Sequence, residues 1–440
     1  MTQAKRDPKL EGIRGYLALG VMVFHVAFTA KISSFLDEHP AGIWTTLVDG
    51  LSVCLPPFFV LSGWFLYRPF VRSVIAGTPR PKGGSFIFGR LLRLLPAYWL
   101  LLAFALPAFS YGRIDGIWHV LRPFLMIHFY YPPNEPWIIG IEPTWTVPTE
   151  ILFYLSLPLL AGIAWLAARG GSTPLQRARR SMVSTYLLFA IGLAWQIYVL
   201  LPSQIMTVAS WNLWYWPFAY YTAFAVGMAL ATLSAYADVT GEPPALHRFV
   251  QRHPLALWGL ALVAYALNLP KTFGDLGVGT TGAMIQSHVQ TLFVLVFAAL
   301  LIAPLTVPGI KSAYMEFVLA NPVMRYLGRI SYGIYLWHIA AIYLVLGQGS
   351  IFGNIPKTGP FSRGLMDFWP LMTLTLLTSV AIATVSYYAL ERPVARWRYQ
   401  RNQAATGRTP VVESNPLPHP PVADAPVSPA PVTAVDRSTI

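Results

Sequence analysis

Charge is what this sequence has least of. Asp, Glu, Lys and Arg together make up 11% of its 440 residues, against about 25% in a soluble domain. That leaves too little polar surface to coat a water-soluble globule. Acids are scarcer still, 18 against 31 Lys and Arg. The single cysteine, Cys54, excludes an internal disulfide and a cysteine-built metal cage, and reads as a small apolar side chain in the second helix. No internal repeat of the kind that builds solenoids is present. The net charge of +13 is scattered through short loops between apolar runs, which excludes nucleic acid as a partner and is how a membrane protein uses charge to orient itself. What remains is 55% hydrophobic and 14% aromatic, with a mean hydropathy of +0.52. The chain reads as an all-α, polytopic membrane protein whose solvent is the lipid bilayer.

Apolar windows able to cross a hydrocarbon core of ~30 Å fall at 13–30, 47–67, 91–109, 145–167, 183–201, 213–233, 254–269, 283–305, 327–346 and 369–390, about ten transmembrane helices in all, the seventh the shortest. The first follows Lys5, Arg6 and Lys9 like a signal peptide, but it is long for an h-region, holds Arg14 and His25, and lacks a small-residue cleavage pattern; it is read as a retained helix. With the N-terminus cytoplasmic, 25 of the 31 basic residues fall in inner segments and six fall outside: Lys31, Arg113, Arg122, Lys271, Lys357 and Arg363. Both termini are therefore expected to be cytoplasmic. After Glu391, Arg392, Arg396, Arg398 and Arg401 form a basic run suited to anionic headgroups. A transmembrane domain over 1–402 is followed by a Pro/Ala-rich stretch, 403–440, that reads as a disordered cytoplasmic tail.

Ionisable side chains are costly inside hydrocarbon, so each one there is a functional candidate. Arg14 and His25 are eleven residues apart, three turns plus about 20°, which puts them on one face of the first helix and ~16 Å apart along its axis. Arg14 could simply snorkel to the interface and His25 could serve helix packing, but a neutral imidazole is also poised for proton transfer. Arg68 and Arg72 are four apart, and Arg90 and Arg93 three apart, each pair on one helical face. With Arg14 they form a five-arginine collar. The positive-inside bias alone accounts for such a collar; a phosphate-rich cytoplasmic cofactor would also use it, because guanidinium forks match phosphate oxygens. Glu150, in the run from Trp145 to Tyr154 that opens the fourth span, is expected at the depth of His25, where the two could form a base and its orienter. A carboxylate near a helix N-terminus is also stabilising by itself. Trp145, Ser62 (followed by Gly63) and His338 are read as lining the substrate path. Asp37 and Glu38 in the first outer loop read as solvated, and no metal site is expected.

Taken together, these stretches resemble the acyltransferase-3 family of integral-membrane acyltransferases. The likeness runs from about Leu10 to Pro393 and rests on Leu10 to Gly15 with Phe24-His25, Phe58 to Gly63, Arg90 to Trp99, Trp145 to Tyr154, Leu327 to His338 and Glu391-Arg392-Pro393, in that order. At the fourth helix Pro148-Thr149 stands before Glu150, where the family usually has a Ser-Val-Glu type run. The resemblance implies transfer of an acyl group, often acetyl, from acyl-CoA inside the cell to a hydroxyl of a sugar-containing acceptor such as an envelope glycan or glycolipid. It implies His25 as the catalytic residue, and Arg14 with the arginines after the second and third helices as the holders of the CoA phosphates. Acceptor choice is expected in the loops 110–144 and 347–368. The rival reading is a proton-coupled transporter or flippase that uses the same histidine and glutamate as a relay. Such a protein would show matching halves, which the sequence lacks, and would not need the arginine collar.

Overall fold

A computed structural model describes residues 7–33, 42–130, 138–201, 213–269, 281–354 and 363–405; among these there is no strand. The helices are α1 (Pro8–Thr29), α2 (Ile43–Asp49), α3 (Pro56–Ala76), α4 (Gly83–Phe109), α5 (Ile117–Phe124), α6 (Thr146–Ala168), α7 (Pro174–Val199) and α8 (Tyr221–Thr240). They continue with α9 (Ala245–Arg252), α10 (Ala256–Asn268), α11 (Thr281–Ile302), α12 (Ala313–Leu319), α13 (Pro322–Arg329), α14 (Ser331–Val345), α15 (Phe368–Ser386) and α16 (Arg392–Ala405). The starts follow from local chemistry. Asp7 accepts from the Lys9 amide ahead of α1, Thr173 from the Gln176 amide ahead of α7, and Asn321 from the Met324 amide ahead of α13, each with Pro at the first helical position.

Nine helical segments among the described residues are long and apolar enough to span a bilayer, so the chain is a multi-pass membrane protein. The seventh predicted span differs. Its helix α10 has 13 residues, only ~20 Å of rise against a ~30 Å core, because His253-Pro254-Leu255 delays its start and Asn268 closes it. Cys54 lies in a buried 3-10 turn ahead of α3. The chain divides into two compact units, Met1–Ala395 and Arg396–Ile440; in the second, helix α16 continues to Ala405, and most of the predicted tail lies outside the described residues.

Close backbone approaches set the bundle. Helices α3 and α8 meet at Gly63 and Gly227: a Cβ on Gly63 would lie 3.1 Å from the Gly227 Cα, and one on Gly227 would lie 2.8 Å from the Trp64 nitrogen. Small residues of this kind let membrane helices touch backbone to backbone. Helix α1 is seated the same way, with Gly12 against the Leu319 carbonyl, Gly15 against Met324 and Gly328, and Gly328 in turn against Glu11. Lys9 Nζ donates to the Ile310 carbonyl at 3.2 Å, and Arg325 stands 3.9 Å from Glu11. The start of α1 and the 303–329 segment thus meet at one end of the bundle, the basic end, with Lys9 and Arg325; a further ion pair, Arg68–Asp238, ties α3 to α8. Helix α1 also meets α14, whose Gly333 packs on Ala383 of α15.

The Gly227 contact yields a test. Gly227→Val should lower thermal stability in detergent by at least the ~1–3 kcal/mol of an overpacked core, since the obstacle is backbone that cannot rotate away. Gly259→Ala, where a Cβ meets nothing within 4 Å, should be neutral or slightly stabilising. Equal melting temperatures for the two variants would contradict the packing described.

Candidate active site

Two histidines on facing helices form the centre. His25 Nδ1, on α1, lies 2.9 Å from the Val21 carbonyl and 3.2 Å from Nε2 of His338 on α14. His338 Nδ1 lies 2.7 Å from the Tyr335 carbonyl. An oxygen that close to a ring nitrogen requires a hydrogen between them, so both Nδ1 atoms carry protons. His338 Nε2 is then an acceptor facing His25 Nδ1–H. The remaining nitrogen, His25 Nε2, keeps a lone pair as the basic atom of the pair. The partner that orients His25 is thus His338, which the sequence placed at mid-depth as a lining residue.

Glu150 stands elsewhere. Its carboxylate accepts from the Tyr154 hydroxyl one turn along α6, and the charges acting on it belong to Arg93, Arg14 and Arg90. The expected pairing with His25 is not made, for a reason of register. A Cβ on Gly83, the first residue of α4, would sit 3.2 Å from Pro158 Cβ of α6, so α4 begins level with the middle of α6. Arg93 is ten residues, ~15 Å, from that level and Glu150 is eight residues, ~12 Å, in the same direction. They meet at the level of Arg14, while His25 lies ~16 Å further along α1. Depth counted from the end of α6 assumed helices that begin flush.

This charged layer borders a small cleft whose walls include Arg14, Glu150, Phe58, Ser331, Tyr332 and Tyr335. His25 is not itself a wall residue. Tyr335 is, and its ring centroid lies 5.8 Å from that of His338, which lies 4.9 Å from that of His25. A second carboxylate joins the layer: Glu391, on the π-helical turn Tyr387–Glu391 that ends α15, feels the charges of Arg93 and Arg14. Such turns recur at functional sites. In the sequence Glu391 was only the closing member of a short motif. Tyr332, whose hydroxyl donates to the Leu94 carbonyl at 3.0 Å, carried no signal of its own.

The other predicted residues separate. Arg68 is committed to α8, with Nε donating to Ser234 Oγ at 3.0 Å and Nη2 paired to Asp238, and Arg72 is exposed. Arg90 stacks over Phe86, 5.4 Å from the ring centre. The five-arginine collar therefore divides: Arg14, Arg90 and Arg93 act on Glu150, and Arg14 and Arg93 on Glu391 as well, while Arg68 and Arg72 are not among the charges acting on either. Ser62 sits in the α3 face beside the Gly63–Gly227 contact, and Trp145 is buried against Phe59, Tyr215 and Tyr220 rather than in the cleft wall. Asp37 and Glu38 lie outside the described residues.

Comparison with known proteins agrees with this architecture. A family model described as an acyltransferase domain matches residues 7–388. The exopolysaccharide production protein ExoZ of Rhizobium meliloti is 25% identical over 345 residues, covering 77% of this chain and 88% of its own. A Staphylococcus aureus protein provisionally named an O-acetyltransferase is 23% identical over 407 residues, 88% of this chain and 57% of that one. A Bacillus subtilis protein provisionally named a peptidoglycan O-acetyltransferase is also 23% identical, over 88% of this chain and 54% of its own. The chain spans little more than half the length of the last two. No solved structure matches it.

Toward the end of the bundle opposite the arginines, the 3-10 turn His128–Tyr130 holds a histidine whose two ring nitrogens are buried without a partner. Burial brings the His128 pKa down to about 3. The folded ring stays neutral while the unfolded one takes a proton near pH 6.5. Its contribution to stability is complete above pH 6.5 and is lost as pH falls toward 3, at about 1.4 kcal/mol per pH unit. Thermal unfolding in detergent from pH 7 to 5 should therefore fall less steeply for His128→Asn than for the wild type; parallel profiles would contradict this environment.

Proposed function

The chain belongs to the acyltransferase-3 family, and from that premise we propose that this membrane acyltransferase moves an acetyl group from cytoplasmic acetyl-CoA to a hydroxyl of a sugar-containing acceptor, an envelope glycan or glycolipid, with His25 as general base. The observation that carries the reading is the stripe of α1 on which Arg14 lines a charged cleft and His25 keeps one basic nitrogen, its other nitrogen engaged by His338. The relatives named for exopolysaccharide production and for peptidoglycan O-acetylation support a carbohydrate acceptor.

The chemistry runs in one displacement. Guanidinium groups of Arg14, Arg90 and Arg93 hold the donor's phosphates at the basic end, which is then the cytoplasmic end, and Glu150 and Glu391 keep those guanidiniums in place before the donor arrives. The pantetheine arm extends up the cleft toward Tyr335. His25 Nε2 removes the acceptor O–H proton as the oxygen attacks the thioester carbonyl. The carbonyl–sulfur bond breaks, the CoA thiolate leaves, and the imidazolium returns the proton to sulfur. His338, accepting from His25 Nδ1–H, fixes the ring and stabilises its cationic form, the part the sequence had assigned to Glu150. Arg68 and Arg72 add long-range attraction for an anionic donor.

Two measurements check this. His25→Ala should lower acetyl-CoA-dependent transfer by about 10²–10⁴-fold while the protein still melts like the wild type; near-full activity would refute the mechanism. Acetyl-CoA should raise the melting temperature of the purified protein by ligand linkage, and Arg93→Ala should shrink that shift. Indifference of the wild type to acetyl-CoA would favour the proton-coupled transporter.

A further inference from the structure

We propose that the end of the bundle opposite the arginines carries a subsite for one pyranose ring, with the Glu142 carboxyl group as its hydroxyl-binding group and the half-buried Tyr130 and Tyr215 as its aromatic wall. The inference rests on the carbohydrate acceptor proposed above and adds the place and the residues. Glu142 begins the 3-10 turn Glu142–Trp145 that leads into α6. Its Oε1 accepts from the Tyr343 hydroxyl at 2.9 Å, while Oε2 is buried and has no partner. The Tyr130 hydroxyl and both His128 nitrogens are buried and unpartnered as well. A buried polar atom left unmade costs about 1–3 kcal/mol, and such atoms are rare in native structures. Unpaired buried atoms also occur elsewhere in the bundle; these four stand apart because a chain of aromatic rings joins them, and a bound molecule would supply their hydrogen bonds.

The aromatic rings tie these groups together. The Tyr215 ring lies 5.5 Å from Phe129 and 5.5 Å from Trp145, and the Tyr130 ring lies 5.1 Å from Trp216. The charge of Glu142 also acts on the Tyr215 hydroxyl, which places that side chain near the same rings. The chemistry selects the ligand. With Oε1 accepting from Tyr343, the unpaired Oε2 calls for a hydroxyl, which can donate to a carboxylate or accept from a carboxylic acid, and flat apolar walls fit the C–H faces of a ring. A phosphate or carboxylate ligand would repel Glu142 in its ionised form, and a lipid tail would leave every one of these polar atoms unpaired. A neutral polyhydroxylated ring meets both demands.

The subsite adjoins the reaction centre. Tyr335 donates its hydroxyl to the carbonyl of Pro143, next in sequence to Glu142, at 2.8 Å. The same Tyr335 lines the cleft and stands beside His338. A ring held by Glu142 is thus separated from the histidine pair by one tyrosine.

The test uses the full chain in detergent with methyl β-glucopyranoside, methyl β-galactopyranoside and N-acetylglucosamine as probes, read by tryptophan fluorescence. At least one probe should give a saturable change, with Kd raised at least about 10-fold in Glu142→Gln, the loss of one hydrogen bond to a charged group. Tyr343→Phe and Tyr130→Phe should each weaken binding by a smaller factor, which keeps the test open if the Gln variant does not fold. The acetyl-CoA thermal shift should be the same in all three variants as in the wild type. Binding of no pyranoside, or binding unaffected by all three substitutions, overturns the subsite. Pyranoside binding in a protein that acetyl-CoA does not stabilise would retain the subsite and refute the donor; the reverse would retain the donor and refute the subsite.

Discussion

A hydrogen bond between two imidazoles inside a helical bundle is the contact on which the site depends. Neither ring could hold one orientation alone, since each is a polar group on an apolar helix. Together with the Val21 and Tyr335 carbonyls they fix both tautomers and leave one basic nitrogen, on His25. The arrangement requires α1 and α14 to stay in contact, and α1 is itself held by glycines that seat it against backbone at Leu319, Met324 and Gly328. The packing of small residues at the basic end thereby bears on the placement of His25 half a membrane away.

The charged layer obeys the same constraint. Arg14, Arg90 and Arg93 come from two helices, and Glu150 and Glu391 from two others, so their meeting needs all four in register. Charge pairing of this kind keeps guanidinium groups tolerable within a membrane domain. The Tyr154 hydroxyl on Glu150 gives that carboxylate a second partner on its own helix.

What the sequence made legible is what lies within single helices. Arg14 and His25 share a stripe because the helical period alone decides it. Relations between helices were not legible. Glu150 was set at the wrong depth because nothing local says that Gly83 begins level with Pro158. Arg68 joined the collar by spacing, although Asp238 and Ser234, far along the chain, draw it aside. His338 was visible as a membrane histidine, but its partner lies 313 residues earlier. The seventh span was overextended because its apolar run includes Pro254 and Leu255, which precede the helix.

The account stands on one continuous track from the Arg14–Arg93 layer, past Tyr335, to the histidine pair. The most direct measurement is an experimental structure of the protein in lipid nanodiscs with a non-hydrolysable acetyl-CoA analogue. The phosphates should lie against Arg14 and Arg93, and the thioester surrogate should stand beside His25 Nε2 with the His25–His338 bond intact. An analogue bound away from the arginines, or one whose acyl end lies on the far side of α1 from His25, would contradict it.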